Sequence, residues 1–182
     1  MPVAGADFEY RPFPNEEARN RRQESIEVPL FLAALGVPFG ARVLEVGCGR
    51  GIALAPIVRQ RAPERLVGLD VDQGLLEEAA GTLAGLPVEL VCGDVRALPF
   101  ADASFDTVID FGTTYHIGRP LDALREISRV LAPGGRFCHE TPLAQALSHP
   151  VRWGGRTLPW SEVPELRHGR RALLWSSHVR AA

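Results

Sequence analysis

Along the middle of this chain, short apolar runs alternate with stretches of helical periodicity. Arg42–Val46, Arg65–Leu69, Val88–Cys92, Phe105–Phe111 and Arg136–His139 each read as a strand. Each is rich in Val, Leu, Ile, Phe or Cys and is bounded by turn-forming residues. Between them lie candidate helices. Ile52–Arg61 has helical composition, with Pro56 near its first turn. Asp72 reads as the N-cap of a helix whose apolar residues Leu75, Leu76, Ala79, Ala80 and Leu83 follow the 3.6-residue period, ended by Gly85. Pro120 opens another, with Leu121, Leu124, Ile127 and Leu131 on one face, and APGG closes it. Strands alternating with helices at this spacing predict an α/β fold, a doubly wound and mostly parallel sheet with helices on both faces.

The flanks carry weaker signals. Asn15 reads as an N-cap, with Glu16 and Glu17 in the first turn of a helix running toward Val28. Pro29 interrupts that helix or starts a second short one, and Gly36 ends it. Arginines at 19, 21 and 22 are interspersed with glutamates, which suits a solvated face or, alternatively, a lid over a site below. Past residue 141, Leu143–Leu147 suits a short helix and Ala172–Val179 a late strand, with loops or a short hairpin between. The expected organisation is a single domain: a helical lid over 1–36, a binding core over 40–140 and a short C-terminal segment over 141–182, with shortened last strands.

Composition bears on function mainly by exclusion. With 182 residues, the chain suffices for one domain with a sizeable core. No apolar run reaches the ~18 residues of a membrane span, and the first residues do not form a secretory signal, so a cytoplasmic location and no membrane partner are expected. A net charge of -2 gives no general reason to bind nucleic acid. All 20 basic residues are arginine, which excludes lysine chemistry and a P-loop lysine. Three cysteines (Cys48, Cys92, Cys138) without C-x-x-C spacing suggest reduced thiols and no metal site.

In doubly wound sheets, ligands bind at the carboxyl ends of the strands. The first strand runs into VGCGRG, with glycines at 47, 49 and 51. That G-x-G-x-G spacing differs from the dinucleotide fingerprint G-x-G-x-x-G. Such a loop lets backbone approach a ligand and frees amide N–H groups at the next helix. Glu45, two places before the first glycine, would oppose a pyrophosphate and favour a ligand carrying an ammonium; the plain alternative is a tight turn. Asp70 ends the second strand, where an acid can accept both hydroxyls of a ribose. Asp72 competes for that role but suits a cap better. Asp94 follows the third strand and could accept from an exocyclic amine, while the Val95 N–H could meet a ring nitrogen. IDFGTTYHI after the fourth strand brings Asp110, Tyr115 and His116 to the same rim, and Glu140 ends the fifth.

In this order and spacing, VLEVGCGRG, GLDVD, CGDVRALPFADASFDTVID and LREISRVLAPGGRF resemble class I S-adenosylmethionine-dependent methyltransferases. The subgroup that this region is most similar to acts on small molecules and includes quinone-biosynthesis methyltransferases. The resemblance covers roughly residues 40 to 140 and implies a Rossmann-like fold. It implies that Glu45, Gly47, Gly49 and Gly51 hold the methionine part of S-adenosyl-L-methionine, with Cys48 a small side chain where backbone does the binding. Asp70 would take the ribose hydroxyls, Val71 would lie against the adenine, and Asp94 and Val95 would read the adenine edge. Asp110 and Phe111 would line the floor near the methionyl group. His116 falls where many relatives carry a histidine; it is the candidate base or substrate contact, with Tyr115 and Glu140 as alternatives. About 40 residues follow the fifth strand, fewer than a large substrate cap needs, so the site is expected to be open or covered by residues 1–35, with Tyr10 and Arg22 reaching the cofactor carboxylate.

The expected activity is methyl transfer to a small-molecule acceptor. No N/D-P-P-Y-like stretch follows the fourth strand, which argues against nucleic acid as the acceptor. The acceptor atom and oligomeric state are not legible. Two rivals stand beside this expectation: a methyltransferase-like module that binds cofactor without transferring anything, and a nicotinamide-dependent oxidoreductase, which the glycine spacing and Glu45 oppose.

Overall fold

The computed structural model describes residues 20–21, 23–34, 36–114 and 117–140, with 152–153, 156–157 and 175–179. Its centre is a six-stranded sheet built from β1 (Arg42–Val46), β2 (Arg65–Asp70), β3 (Glu89–Cys92), β4 (Phe105–Asp110), β5 (Leu131–Glu140) and β8 (Trp175–Val179). The order is β3-β2-β1-β4-β5-β8. The first five strands are parallel, and β8 lies antiparallel on β5. Strands β6 (Arg152–Trp153) and β7 (Arg156–Thr157) form a separate two-residue hairpin. The described helices are α1 (Val28–Ala34), α2 (Leu54–Arg61), α3 (Gln73–Thr82) and α4 (Pro120–Val130).

Strands β1, β2 and β4 are buried on both faces, which explains why they read as nearly continuous apolar runs, while β3 at the sheet edge is half-buried or exposed. Successive residues of β1 serve opposite cores. Val43 joins Phe31, Leu54, Ile57 and Leu76 beneath α1, α2 and α3. Leu44 and Val46 join Phe105, Val108, Ala123, Ile127 and Phe137 beneath α4. Strand order reverses between β1 and β4, and the connections leaving these two strands run to helices on opposite faces of the sheet. A crevice opens at that point because neither connection covers it.

Local chemistry sets the boundaries. Asp72 caps α3 by accepting from the Gly74 and Leu75 amides. Helix α2 starts at Leu54, two residues later than predicted, because the glycine loop is closed by its own turns: Gly51 N–H donates to Cys48 O at 2.8 Å and Leu54 N–H to Gly51 O at 3.1 Å. Pro29 falls at the second residue of α1, and a π-helical turn, Gln23–Glu27, leads into it. The wider turn accommodates a residue that has no amide proton to donate.

Helix α4 buries a face that only partly matches the predicted one: Ile127 and Leu131 are buried as predicted, but Leu121 and Leu124 are not. Ala123, Ile127 and Val130 pack on the sheet, while Leu121 and Leu124 are 64% and 40% exposed. Pro120 stands at N1, and the two leucines face outward while Ala123 is fully buried. Strand β5 starts at Leu131, ahead of the predicted Arg136, and passes through a register irregularity; Gly134 adopts φ +76° there. The predicted N-cap Asn15 and the predicted helix Leu143–Leu147 lie outside the described residues.

Candidate active site

A cavity of about 390 Å³ occupies the crevice at the carboxyl ends of the strands. Glu45, Gly47, Cys48 and Gly49 form its wall from β1 and the glycine loop; Asp70 and Val71 enter from β2, Asp94 and Val95 from the loop after β3, and Phe111 from the end of β4. Nine of the residues singled out from sequence therefore meet around one space.

The glycine loop needs its glycines for different reasons. All three have positive φ. A Cβ on Gly47 would lie 1.7 Å from Thr113 Oγ1, so this position is a close crossing between the loop and the turn after β4. A Cβ on Gly49 would meet nothing within 4 Å, which leaves its backbone open. Gly51 does not line the cavity; an added Cβ there would press on Leu83 Cδ1 at 2.8 Å, so it serves the packing of the loop on α3.

Asp70 is fixed from two sides. Its Oδ2 accepts from Gly49 N–H at 2.8 Å and its Oδ1 from Asp72 N–H at 2.9 Å. A carboxylate has about four acceptor positions, so lone pairs remain for a ligand. Asp94 is held by Arg96: the backbone amide and Nε donate to Oδ1 at 2.8 and 3.0 Å, and an Nη donates to Oδ2 at 2.8 Å. The Arg96 hydrogen bonds hold the Asp94 carboxyl below the usual carboxylate range.

Glu45 is the unusual group. It is 3% exposed, and its Oε2 has no hydrogen-bond partner. Burial pushes its carboxyl up to about 8, and the neighbouring Asp70 and Asp110 carboxylates add to that rise. An orphaned buried carboxyl oxygen costs free energy unless something answers it. The mouth of β1 thus calls for a hydrogen-bond donor, best a cationic one.

Asp110 does not line the cavity. It is completely buried and turned back on its own chain, accepting from the Gly112, Thr113 and Thr114 amides and from the Thr114 hydroxyl. Thr113 Oγ1 in turn donates to Val46 O at 3.2 Å. Asp110 therefore shapes the turn that leads to residues 115 and 116. Tyr115 and His116 themselves lie outside the described residues, as do Tyr10 and Arg22. Glu140 is the last residue of β5, at the same end of the sheet. Asn20, Gln23, Arg96 and Thr113 line the cavity without having been singled out from sequence. Asn20 and Gln23 stand three apart near the start of the N-terminal helical stretch, which is the only signal the sequence offered for them.

The model of the family described as "Methyltransferase domain" matches residues 44–139, more than half of the chain and every cavity-lining residue except Asn20 and Gln23. The chain belongs to the methyltransferase-domain family. Among similar proteins, a demethylmenaquinone methyltransferase of Renibacterium salmoninarum is 36% identical over 130 residues, covering 71% of this chain and 51% of the relative. A fatty-acid O-methyltransferase of Mycolicibacterium smegmatis is 35% identical over 128 residues, covering 69% and 46%. The chain spans about half the length of these two methyltransferases. Among solved structures, a SAM-dependent methyltransferase from Aquifex aeolicus shares the fold at a TM-score of 0.60, with 24% identity and 65% of each chain covered. The cyclase SpnF superposes at a TM-score of 0.59 with 26% identity, covering 75% of this chain and 51% of its own. Family membership makes S-adenosylmethionine the cofactor to test against the geometry of the methyltransferase crevice. No helix among the described residues is long and apolar enough to cross a membrane.

Proposed function

We propose that this methyltransferase-family chain transfers the methyl group of S-adenosylmethionine to a small-molecule acceptor. The observation that carries this reading is the unpartnered Glu45 oxygen, buried at the head of a glycine loop. A pyrophosphate would be repelled there; an amino-acid ammonium answers both the missing hydrogen bond and the buried charge. The cofactor also carries ribose hydroxyls for the free lone pairs of Asp70 and an exocyclic amine for Asp94. The residues present fit the group.

When bound, the cofactor supplies a methyl group already activated by a positively charged sulfur. The protein's task is then alignment. Glu45 holds the amino-acid end, in the open space beside Gly49. Asp70, itself anchored by the Gly49 and Asp72 amides, fixes the ribose. Asp94 and Val95 set the adenine end. The turn locked by Asp110 carries the chain from Phe111 at the cavity wall toward Tyr115 and His116. His116 takes a proton from the acceptor if that acceptor holds one of high pKa, with Tyr115 and Glu140 as the alternative groups. We assign residues 1–36 as a lid over the 40–140 core of one domain, on the support of Asn20 and Gln23 at the cavity wall.

A binding module without transferase activity is the second reading; SpnF, of similar fold, is named a cyclase, so the fold by itself does not fix methyl transfer. Label transfer from methyl-labelled S-adenosylmethionine across a panel of small metabolites separates the two. Stoichiometric appearance of labelled product supports the enzyme. Saturable cofactor binding with no labelled product in any panel member supports the module.

A further inference from the structure

Between β3 and β4 the chain runs through residues 93–104 without regular structure, and the cavity residues Asp94 and Val95 sit at its start. A loop of this length needs external anchors to hold a side chain in one place. The β3 end provides one, Gly93 N–H to Asp70 O at 2.9 Å. Most of the other hydrogen-bonded anchors come from α4. Glu126 Oε2 accepts from Leu98 N–H at 2.8 Å. Arg129 donates to Leu98 O at 3.0 Å, to Phe100 O at 2.8 Å and to Asp102 Oδ1 at 2.8 Å. The two α4 residues also bind each other, Arg129 Nε to Glu126 Oε1 at 2.8 Å and an Nη to Glu126 Oε2 at 2.7 Å. Finally, Ala103 N–H donates to Arg129 O at 3.0 Å.

Neither Glu126 nor Arg129 lines the cavity. Yet their network fixes the loop from Leu98 onward, four residues past Asp94, and a turn from Ala97 N–H to Asp94 O at 2.9 Å carries that constraint back. Arg96 ties the same segment to the entry of α4 through Gly118 O at 3.3 Å. Bidentate guanidinium–carboxylate geometry with backbone acceptors is directional, so it restricts position and not only proximity.

We infer that Glu126 and Arg129 are positioning residues: they clamp the 94–103 loop to α4 and so set the geometry with which Asp94 recognises the adenine amine. This rests on the cofactor reading above. The test compares calorimetric Kd values for S-adenosylhomocysteine and S-inosylhomocysteine, in which an oxygen replaces the adenine amine. The wild-type protein should favour the adenosyl compound about 10-fold or more, the value of one hydrogen bond to a charged group. In Arg129→Met that preference should fall to within about 2-fold, while affinity for the inosyl compound stays near wild type; Arg129→Lys should recover only part of it. General destabilisation would weaken both ligands together and leave their ratio alone. Should Arg129→Met fail to fold, Asp102→Ala, at an exposed carboxylate, removes one arm of the clamp and should lower the ratio by a smaller factor. A ratio unchanged in every folded variant overturns the clamp. A wild-type protein that binds neither compound overturns instead the cofactor reading on which it rests.

Discussion

Glu45→Gln should make the ligand-free protein more stable and its cofactor binding weaker. The side chain is buried, one oxygen is unpartnered, and burial raises its carboxyl from 4.5 to about 8. The sign follows from linkage. A carboxyl whose folded value lies above its unfolded value binds more protons folded than unfolded, so stability falls as pH rises from the unfolded value to the folded one. At about 1.4 kcal/mol per decade of that interval, the cost is roughly 3 kcal/mol at pH 7 and roughly 5 kcal/mol well above pH 8. Glutamine keeps the shape and cannot ionise. Urea unfolding followed by far-ultraviolet circular dichroism should show wild type losing roughly 4 kcal/mol relative to Glu45→Gln between pH 5 and pH 9. In the same variant, affinity for S-adenosylhomocysteine should fall by about 10- to 150-fold, the loss of one charge-assisted hydrogen bond. Below pH 4 the sign reverses for both proteins alike. Asp94, Asp106 and Glu126, each held low by an arginine hydrogen bond, lose their pairs as they protonate. Parallel stability profiles for wild type and Glu45→Gln from pH 5 to pH 9 would refute the reasoning.

Other consequences are simpler to check. Asp70→Ala should weaken S-adenosylhomocysteine by about 30- to 150-fold in calorimetry, since it removes the ribose acceptor and releases the Gly49 amide; an unchanged Kd would place the ribose elsewhere. Gly47→Ala should abolish cofactor binding and lower the melting temperature, because the new methyl would overlap Thr113 Oγ1 and the residue adopts φ +67°. A thiol reagent should label Cys92 quickly in the native protein and leave Cys48 and Cys138 unlabelled; burial raises both of the latter thiols, Cys138 to about 12. Peptide mapping that found Cys48 labelled first would contradict the burial of the glycine loop.

The parallel core was legible because both faces of the sheet are covered. Strands β1, β2 and β4 therefore appear as apolar runs whatever lies above or below them. The Asp72 cap was legible because capping depends on a few neighbouring residues. The face of α4 was legible only in part: Ile127 and Leu131 are buried as predicted, but Leu121 and Leu124 fit the helical period as well as Ala123 and Val130 do and are exposed, a choice the period alone does not make. An acid at a strand end raises a similar ambiguity. Glu45, Asp70 and Asp110 occupy comparable positions on β1, β2 and β4, yet the first two face the cavity and the third caps its own turn. The choice hangs on two threonines and a glycine that follow Asp110, whose amides and hydroxyl capture the carboxylate. Arg96 was passed over because a charge four residues past a strand end looks like surface; its role becomes visible only when Asp94 is seen in its grip.

The measurement that tests the central claim most directly is calorimetric titration of the ligand-free protein at pH 7 with S-adenosylhomocysteine and, separately, with NADH. A crevice built around Glu45, Asp70 and Asp94 should bind S-adenosylhomocysteine at one site per chain, release protons from Glu45 as it does so, and give no heat with NADH. Proton release is read from the dependence of the heat on buffer ionisation enthalpy. Saturable heat with NADH and none with S-adenosylhomocysteine would contradict it.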